Sequence, residues 1–358
     1  MAILARLRDD VAVGVNELAE EFKTSRVTIR RDLDALGDAN LVRRVHGGAV
    51  RASAAAAEPV PATMGMHVGV VVPTASYYFP EILQSCKESL EARGIAMSVV
   101  SSNYDPVRER LICQNFEDAG VQAIIYAPSF VGLEKHTDLE PWLFSLTTPV
   151  ILLEREIVER ASGKTIASVR TAYEKGWELG LRQFKSLGHT RVALVTHGLR
   201  QVGVDLAQKW AVAVRDAGFS EGDAPLIVEP RATRSPDPSV LDGLTDRIEQ
   251  LDVTGIISHC DLATLDLIHT LTARGIRIPQ DLSVIANEDQ IAQLTHPTLS
   301  SISPVKRALG NTIARLARDA VRDAGTPIQH VFIEPTFTDR GSLTKRGEQS
   351  TPPPRRAR

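Results

Sequence analysis

From residue 67 to residue 287 the chain repeats one alternation: a short apolar, β-branched run followed by an amphipathic stretch. The runs are HVGVVVP (67–73), MSVVSS (97–102), AIIYAP (123–128), PVILLE (149–154), RVALVTH (191–197), GIISHC (255–260) and LSVIAN (282–287). Unbroken apolar runs of this length fit strands covered on both faces. The stretches 80–93, 106–119, 173–187, 204–217, 262–274 and 305–323 carry helical spacing. Strand and helix in alternation predict an α/β fold of parallel sheets with covering helices. About eight strands over roughly 280 residues divide naturally into two adjoining sheets, because single cores rarely grow much beyond about 250 residues.

A different pattern precedes this one. VNELAEEF (15–22) places apolar residues at 15, 18, 19 and 22 on one helical face, Lys23 and Thr24 form a short connection, and Ser25 is an N-cap for the next helix. Two short helices across a tight turn predict a helix-turn-helix. On the second helix Ile29, Leu33 and Leu36 cluster as the buried face, and Asp32 falls toward that protein-facing side. Arg31 points away, flanked by Val27, Thr28 and Arg30, with Arg26 in the first turn. Arginine forks suit guanine edges and phosphates, and a small apolar group suits a thymine methyl. A solvated charged face competes with this reading for any isolated arginine pair. The residues after the helix favour DNA: LVRRV (41–45) alternates like a strand, His46-Gly47-Gly48 is turn chemistry, and 49–51 can return as a second strand, giving a basic wing.

VTIRRDLDAL followed by LVRRVHGGAV resembles the DeoR-type winged helix over about the first 50 residues. The resemblance implies that the helix opening at Ser25 enters the major groove through Arg26, Val27, Thr28, Arg30 and Arg31. It also implies that Arg43, Arg44, His46 and Gly47 of the wing meet the DNA backbone or an adjacent minor groove. Members of that family usually carry several more residues ahead of ILARL.

Composition sharpens this picture in three respects. The formal net charge of the 358-residue chain is only −3, so attraction to DNA must come from a local patch. Cys86, Cys113 and Cys260 are odd in number and lack metal or redox spacing, which reads as reduced thiols and no metal site. No leader-like segment and no apolar run of about 18 residues occur, so a cytoplasmic protein is expected. ASAAAAEPVPATM (52–64) reads as a linker, and the stretch from Thr344 to the TPPPRRAR end as a disordered basic tail.

The larger part resembles the LacI-type regulatory domain, itself similar to periplasmic sugar-binding proteins. The resemblance lies in an ordered set of phrases: VGVVVP (68–73), GVQAIIYAP (120–128), TPVILLER (148–155), LGHTRVALV (187–195), GIRIPQDLSVIANED (275–289), HPTLSSI (296–302) and EPTFTDRGS (334–342). Together the two resemblances imply a winged helix-turn-helix (1–51), the linker, and a two-lobed periplasmic-binding-protein-like (type I) α/β sensor domain over 65–343. Three crossovers would join lobe one (about 65–160 and 298–325) to lobe two (about 161–297 and 326–343). A small ligand would lie between them, where loops at strand carboxyl ends converge.

Candidate effector contacts sit at those ends. Tyr77, Tyr78 and Phe79 follow the first strand and suit a sugar ring, or else pack in a loop or dimer contact. Asn103 and Asp105 end the second, Ser129 follows the third, and Glu154 and Arg155 end the fourth in the place of the family's frequent Asp-Arg pair. Caps, turns and ion pairs compete for each of these. Asp261 matches the family's acid after GIISHC and Glu288 stands where an Asp is usual; either could accept paired sugar hydroxyls or cap a helix. The family's arginine near 203–217 is absent: Leu206 stands near its position, with Lys209 close by. Arg170 replaces part of a common Asp-Asn pair. A cleft so changed suggests an acidic or phosphorylated sugar. The LacI-type headpiece and hinge helix are replaced by the alanine-rich link.

The leading expectation is a ligand-responsive repressor of carbohydrate uptake or metabolism that binds operator DNA as a homodimer through its sensor domain, with no cofactor and no membrane partner. A solute-binding component of a transporter or signalling system is the alternative for the large domain alone. Catalysis is not expected, since adjacent His259, Cys260 and Asp261 face alternate ways on a strand and make poor triad geometry.

Overall fold

The computed structural model describes residues 12–38, 42–45, 48–51, 65–129, 140–157, 165–197, 203–229, 238–323 and 325–346. Its amino-terminal unit runs β1 (Ala12–Gly14), α1 (Val15–Glu21), α2 (Arg26–Asp38), β2 (Val42–Val45) and β3 (Gly48–Arg51). Val15, Leu18, Ala19, Ile29 and Leu33 form one small core with Phe22 and Leu36 packed against it, so the apolar faces of α1 and α2 meet as their spacing requires. β3 pairs antiparallel with both β2 and β1. The wing therefore has a third strand, AVG, too short for an alternation to announce it. His46, Gly47 and the 52–64 link lie outside the described residues.

The larger unit begins β4 (His67–Val72), α3 (Pro80–Glu91), β5 (Ala96–Ser101), α4 (Pro106–Asp118), β6 (Ala123–Tyr126), α5 (Glu140–Leu143), β7 (Val150–Leu153) and β8 (Ser168–Thr171). It continues α6 (Tyr173–Ser186), β9 (Val192–His197), α7 (Gly203–Ala217), β10 (Leu226–Glu229), α8 (Pro238–Gln250), β11 (Gly255–Ser258), α9 (Asp261–Ala273) and β12 (Ser283–Asn287). A 3-10 turn (Ala292–Leu294), β13 (Ser300–Ser303), α10 (Lys306–Arg322), β14 (His330–Ile333) and β15 (Thr336–Thr338) close the chain.

Two six-stranded sheets result. The first has the order β14-β8-β7-β6-β4-β5, all parallel. The second has the order β10-β9-β11-β12-β13-β15, parallel except for the antiparallel β15 edge. In the first lobe Val68, Val70 and Val72 of β4 face Ile82, Cys86, Leu309 and Ile313 of α3 and α10, while Val71 faces Ile112 and Phe116 of α4. Each fully buried valine of this kind contributes about 1.5–3 kcal/mol of transfer free energy. Gly69 leaves room for the Phe116 ring, whose Cγ would lie 2.6 Å from any added Cβ. In the second lobe Val195, Ile256 and Val284 pack on α8 and α9, and Leu194, Ile257 and Ile285 pack on α6 and α7.

The chain passes between the two sheets three times, at other residues than the sequence suggests. Strand β8 belongs to the first sheet, β13 to the second and β14 to the first. The chain thus crosses after Thr171, after Ser303 and after Ile333. SVRT, SSIS and HVFI are too short to reveal which sheet they join; only their hydrogen-bond partners decide. The tail also starts later than expected. The Thr344 amide donates to Ser283 Oγ (3.1 Å) and the Arg346 amide to the Leu187 carbonyl (2.7 Å), so 344–346 are tied to the second lobe.

Candidate DNA-reading helix and effector cleft

Helix α2 is capped as its sequence requires: Ser25 Oγ accepts from the Thr28 amide at 3.1 Å and lies 2.8 Å from the Thr28 hydroxyl. With Ile29 and Leu33 fully buried, Arg26, Val27, Thr28, Arg30 and Arg31 are all exposed. Val27 is 74% exposed, which has no packing rationale on a helix that buries its other aliphatic side chains. Asp32 is exposed as well, contrary to the expectation that it faces the protein. Arg43 and Arg44 lie on β2, opposite Val50 and Ala49 of β3, so the hairpin carries both next to the helix in sequence.

The sensor's sequence-derived candidates divide into three groups. Some are structural. Asp105 caps α4, accepting from the amides of Val107 (2.9 Å) and Arg108 (3.2 Å). Phe79 is buried in the first-lobe core, edge-on to Tyr78. Asn103 is exposed and accepts from the Ser101 hydroxyl at 3.2 Å, with φ +55 at the strand end. Ser129 is buried and its amide donates to Glu109 at 3.2 Å.

The basic candidates are paired. Arg170 donates through Nε to Glu156 (2.6 Å) and through Nη2 to Glu174 (3.0 Å), and its guanidinium lies 4.2 Å from the centre of the Phe332 ring. Burial lowers its proton affinity, and the two carboxylates more than offset that. Arg155 donates to the Glu154 carbonyl at 2.7 Å, and the Lys209 charge acts on Glu174. Arg170 is therefore committed to internal acids, which removes the reason for expecting an acidic or phosphorylated ligand.

The third group converges where the lobes meet. Buried Glu154, held at φ +61, accepts from Tyr78 Oη (2.7 Å), the Thr171 amide (3.0 Å) and Thr171 Oγ1 (2.8 Å). Tyr78 Oη also lies 3.2 Å from Tyr173 Oη, at the start of α6. Across the cleft Tyr77 Oη donates to Glu288 Oε2 at 2.9 Å. Burial pushes the Glu288 carboxyl up to about 7, against the pull of the Tyr77 hydroxyl and the Lys306 charge. Lys306, the buried first residue of α10, donates to the Glu288 carbonyl at 2.9 Å and sits 5.0 Å from the centre of the Tyr78 ring. Its own proton affinity is lowered, because burial outweighs Glu288.

Asp261 holds a neighbouring loop through one of its carboxylate oxygens. Its Oδ2 accepts from the amides of Gln290 (2.7 Å), Ile291 (2.9 Å) and Ala292 (3.2 Å), so it shapes the loop that follows Glu288. Burial raises its carboxyl even so, with the three amides opposing. Among the described residues, its Oδ1, Asn287 Oδ1 and Trp177 Nε1 are buried and meet no hydrogen-bond partner. Asn287 and Trp177 adjoin His259, two residues before Asp261: the Asn287 amide donates to the His259 carbonyl (3.2 Å), and the Trp177 ring lies 6.1 Å from the imidazole. Cys260, beside them, is pushed up to about 12 by burial and stays a thiol at neutral pH.

Sequence reasoning missed Tyr173, Trp177, Lys306 and Glu109. Tyr173 and Trp177 stack at 5.9 Å on α6 and would have read as ordinary core positions. Buried Glu109 accepts from Ser102 Oγ (3.0 Å) and Tyr126 Oη (2.8 Å), fixing the ends of β5 and β6 behind the cleft. Desolvation still raises its carboxyl. An acid inside an amphipathic helix gives no sign of this, although its i+4 phase with Cys113 does place it on the inner face.

A winged helix with outward arginines, joined to two α/β lobes around a polar and aromatic cleft, defines a transcription regulator with a ligand-binding sensor domain. The DeoR-like helix-turn-helix family model matches residues 1–55 and the periplasmic binding protein-like family model residues 181–343. The chain is 25% identical over 289 residues to the HTH-type transcriptional regulator DegA of Bacillus subtilis, covering 77% of this chain and 80% of that protein. Among solved structures, the transcription regulator CcpA of Lactococcus lactis superposes with a TM-score of 0.65 at 20% identity, covering 78% of this chain and all of that one. The complex of the transcriptional regulator CelR with cellobiose gives 0.64 at 19%, covering 88% and 90%. The chain thus joins a DeoR-like helix-turn-helix domain to a periplasmic binding protein-like domain. The described residues hold no helix long and apolar enough to cross a membrane.

Proposed function

We propose that the protein is a cytoplasmic, homodimeric repressor whose affinity for operator DNA is set by a neutral sugar bound between its lobes. The observation that carries this reading is the pairing, in one chain, of the exposed α2 arginines with a cleft whose cations are already bonded internally. Glu288, Asp261 Oδ1, Asn287 Oδ1 and the Trp177 indole offer acceptors and a donor, and Tyr77, Tyr78 and Tyr173 offer ring faces. Acceptors beside aromatic faces suit hydroxyl-rich rings. The CelR complex, with cellobiose bound in a sensor of the same fold, supports a sugar as the class.

In the groove Arg26, Arg30 and Arg31 address phosphates and base edges, Thr28 a phosphate or base, and Val27 a thymine methyl, while Arg43, Arg44, His46 and Gly47 steady the wing on the backbone. A second copy doubles the contacts on a palindromic site. The test is an operator selected from genomic fragments, bound by the wild-type protein and by Arg31→Ala, with calorimetry for a panel of neutral sugars. Selective loss of operator binding with sugar binding retained supports the reading; unchanged operator binding removes it.

A further inference from the structure

The cleft already contains its own hydroxyl groups. Tyr77 belongs to the first lobe, where its ring packs on the core beneath α3, and its hydroxyl reaches Glu288 beyond the end of β12 in the second lobe, at 2.9 Å. Both residues hold backbone angles that L-amino acids disfavour, φ +63 for Tyr77 and φ +114 for Glu288. Such strain persists only where surrounding contacts hold it. Two further links run beside this one. Lys306, on a first-lobe helix, donates to the Glu288 carbonyl at 2.9 Å. The Gln290 side chain, with its amide oriented to satisfy both neighbours, donates to the Tyr77 carbonyl and accepts from Lys306. On the opposite wall Tyr78 fills the matching place on Glu154, at 2.7 Å. Glu154 and Glu288 therefore each meet a tyrosine hydroxyl from the single loop 74–79.

We propose that Tyr77 is a built-in latch: its hydroxyl takes, on Glu288, the place of a ligand hydroxyl and holds the two lobes together in the absence of any ligand. An effector that reaches Glu288 does so by displacing Tyr77, and this consequence rests on the sugar reading above. Opening then strips Glu288 of its hydroxyl donor and releases the strained turn at Tyr77, so the latch has two discrete arrangements rather than a continuum, the condition for a two-state sensor.

Hydrogen–deuterium exchange on the full-length, ligand-free protein tests the latch without any assumption about effector or DNA. The comparison is wild type against Tyr77→Phe, Glu288→Met and the double variant. The latch predicts that Tyr77→Phe, which removes one oxygen atom, raises exchange about tenfold both in 74–79 and in 288–292. Segment 102–109, tied down by Glu109, stays unchanged and reports that the fold is intact. The double variant exchanges no faster than the faster single variant. Equal protection of 288–292 in wild type and Tyr77→Phe, or additive effects in the double variant, overturns the proposal.

Discussion

Tyr77 and Glu288 stand 211 residues apart in the chain and 2.9 Å apart across the cleft, each on a different lobe. A hydroxyl-to-carboxylate bond of this kind contributes on the order of 1–3 kcal/mol when one partner is charged. If it opposes ligand entry, removing it raises the fraction of protein competent to bind. Tyr77→Phe, which keeps the ring face, should therefore bind an effector sugar about five- to tenfold more tightly in calorimetry. Weaker binding would mean that the hydroxyl serves the ligand instead.

The Glu288 carboxyl gives the molecule a pH signature. Its folded value of about 7 lies above the ordinary 4.5, so its contribution to stability is complete below pH 4.5 and is lost as pH rises through about 7. The difference amounts to at most roughly 3 kcal/mol. Glu288→Gln should flatten the fall in urea-unfolding free energy between pH 5 and 7.5 relative to wild type. An identical pH profile in the variant would show that burial does not perturb this carboxyl.

Arg170 sits between Glu156 and Glu174 with its side chain 8% exposed. Breaking a buried ion pair from one side typically costs about 3–5 kcal/mol, because the remaining charges lose their partner. Arg170→Met should lower the thermal midpoint by several degrees and leave the preference for neutral over phosphorylated sugars unaltered. A loss of sugar affinity with unchanged stability would return Arg170 to the binding surface.

Asp261 supports a loop through three amides. Asp261→Ala leaves those amides unmatched, at about 1–3 kcal/mol. Exchange in 290–292 should rise and sugar affinity fall, whereas Asp261→Asn, which retains an acceptor, should restore much of both. Equal damage from the two substitutions would point to direct ligand contact through the carboxylate charge.

The reader was legible in the sequence because one period settles it: Ile29 and Leu33 inward forces Arg31 outward. The β-branched runs were legible for the same reason, since a strand covered on both faces has few ways to be composed. The crossovers were not. Ser168–Thr171 and Ser300–Ser303 are placed by ladder partners far away in the chain, and no local pattern encodes a partner. The candidate cleft residues lie at the strand ends that the sequence marks, but several of them take structural parts there. Asp105 turned out to be a cap, visible in its place before Pro106. Arg170 turned out to be paired, which depends on Glu156 across a loop and Glu174 on the following helix, and spacing alone does not bring those together.

Regulation by this molecule requires communication between cleft and operator. Its most direct test is fluorescence anisotropy of the full-length protein on a selected operator, with and without saturating amounts of each neutral sugar that calorimetry shows to bind, cellobiose and ribose among those tried. The predicted result is a shift of about tenfold or more in operator Kd with at least one of them, a coupling near 1.4 kcal/mol. An operator Kd that is unmoved by every sugar the cleft binds would contradict it.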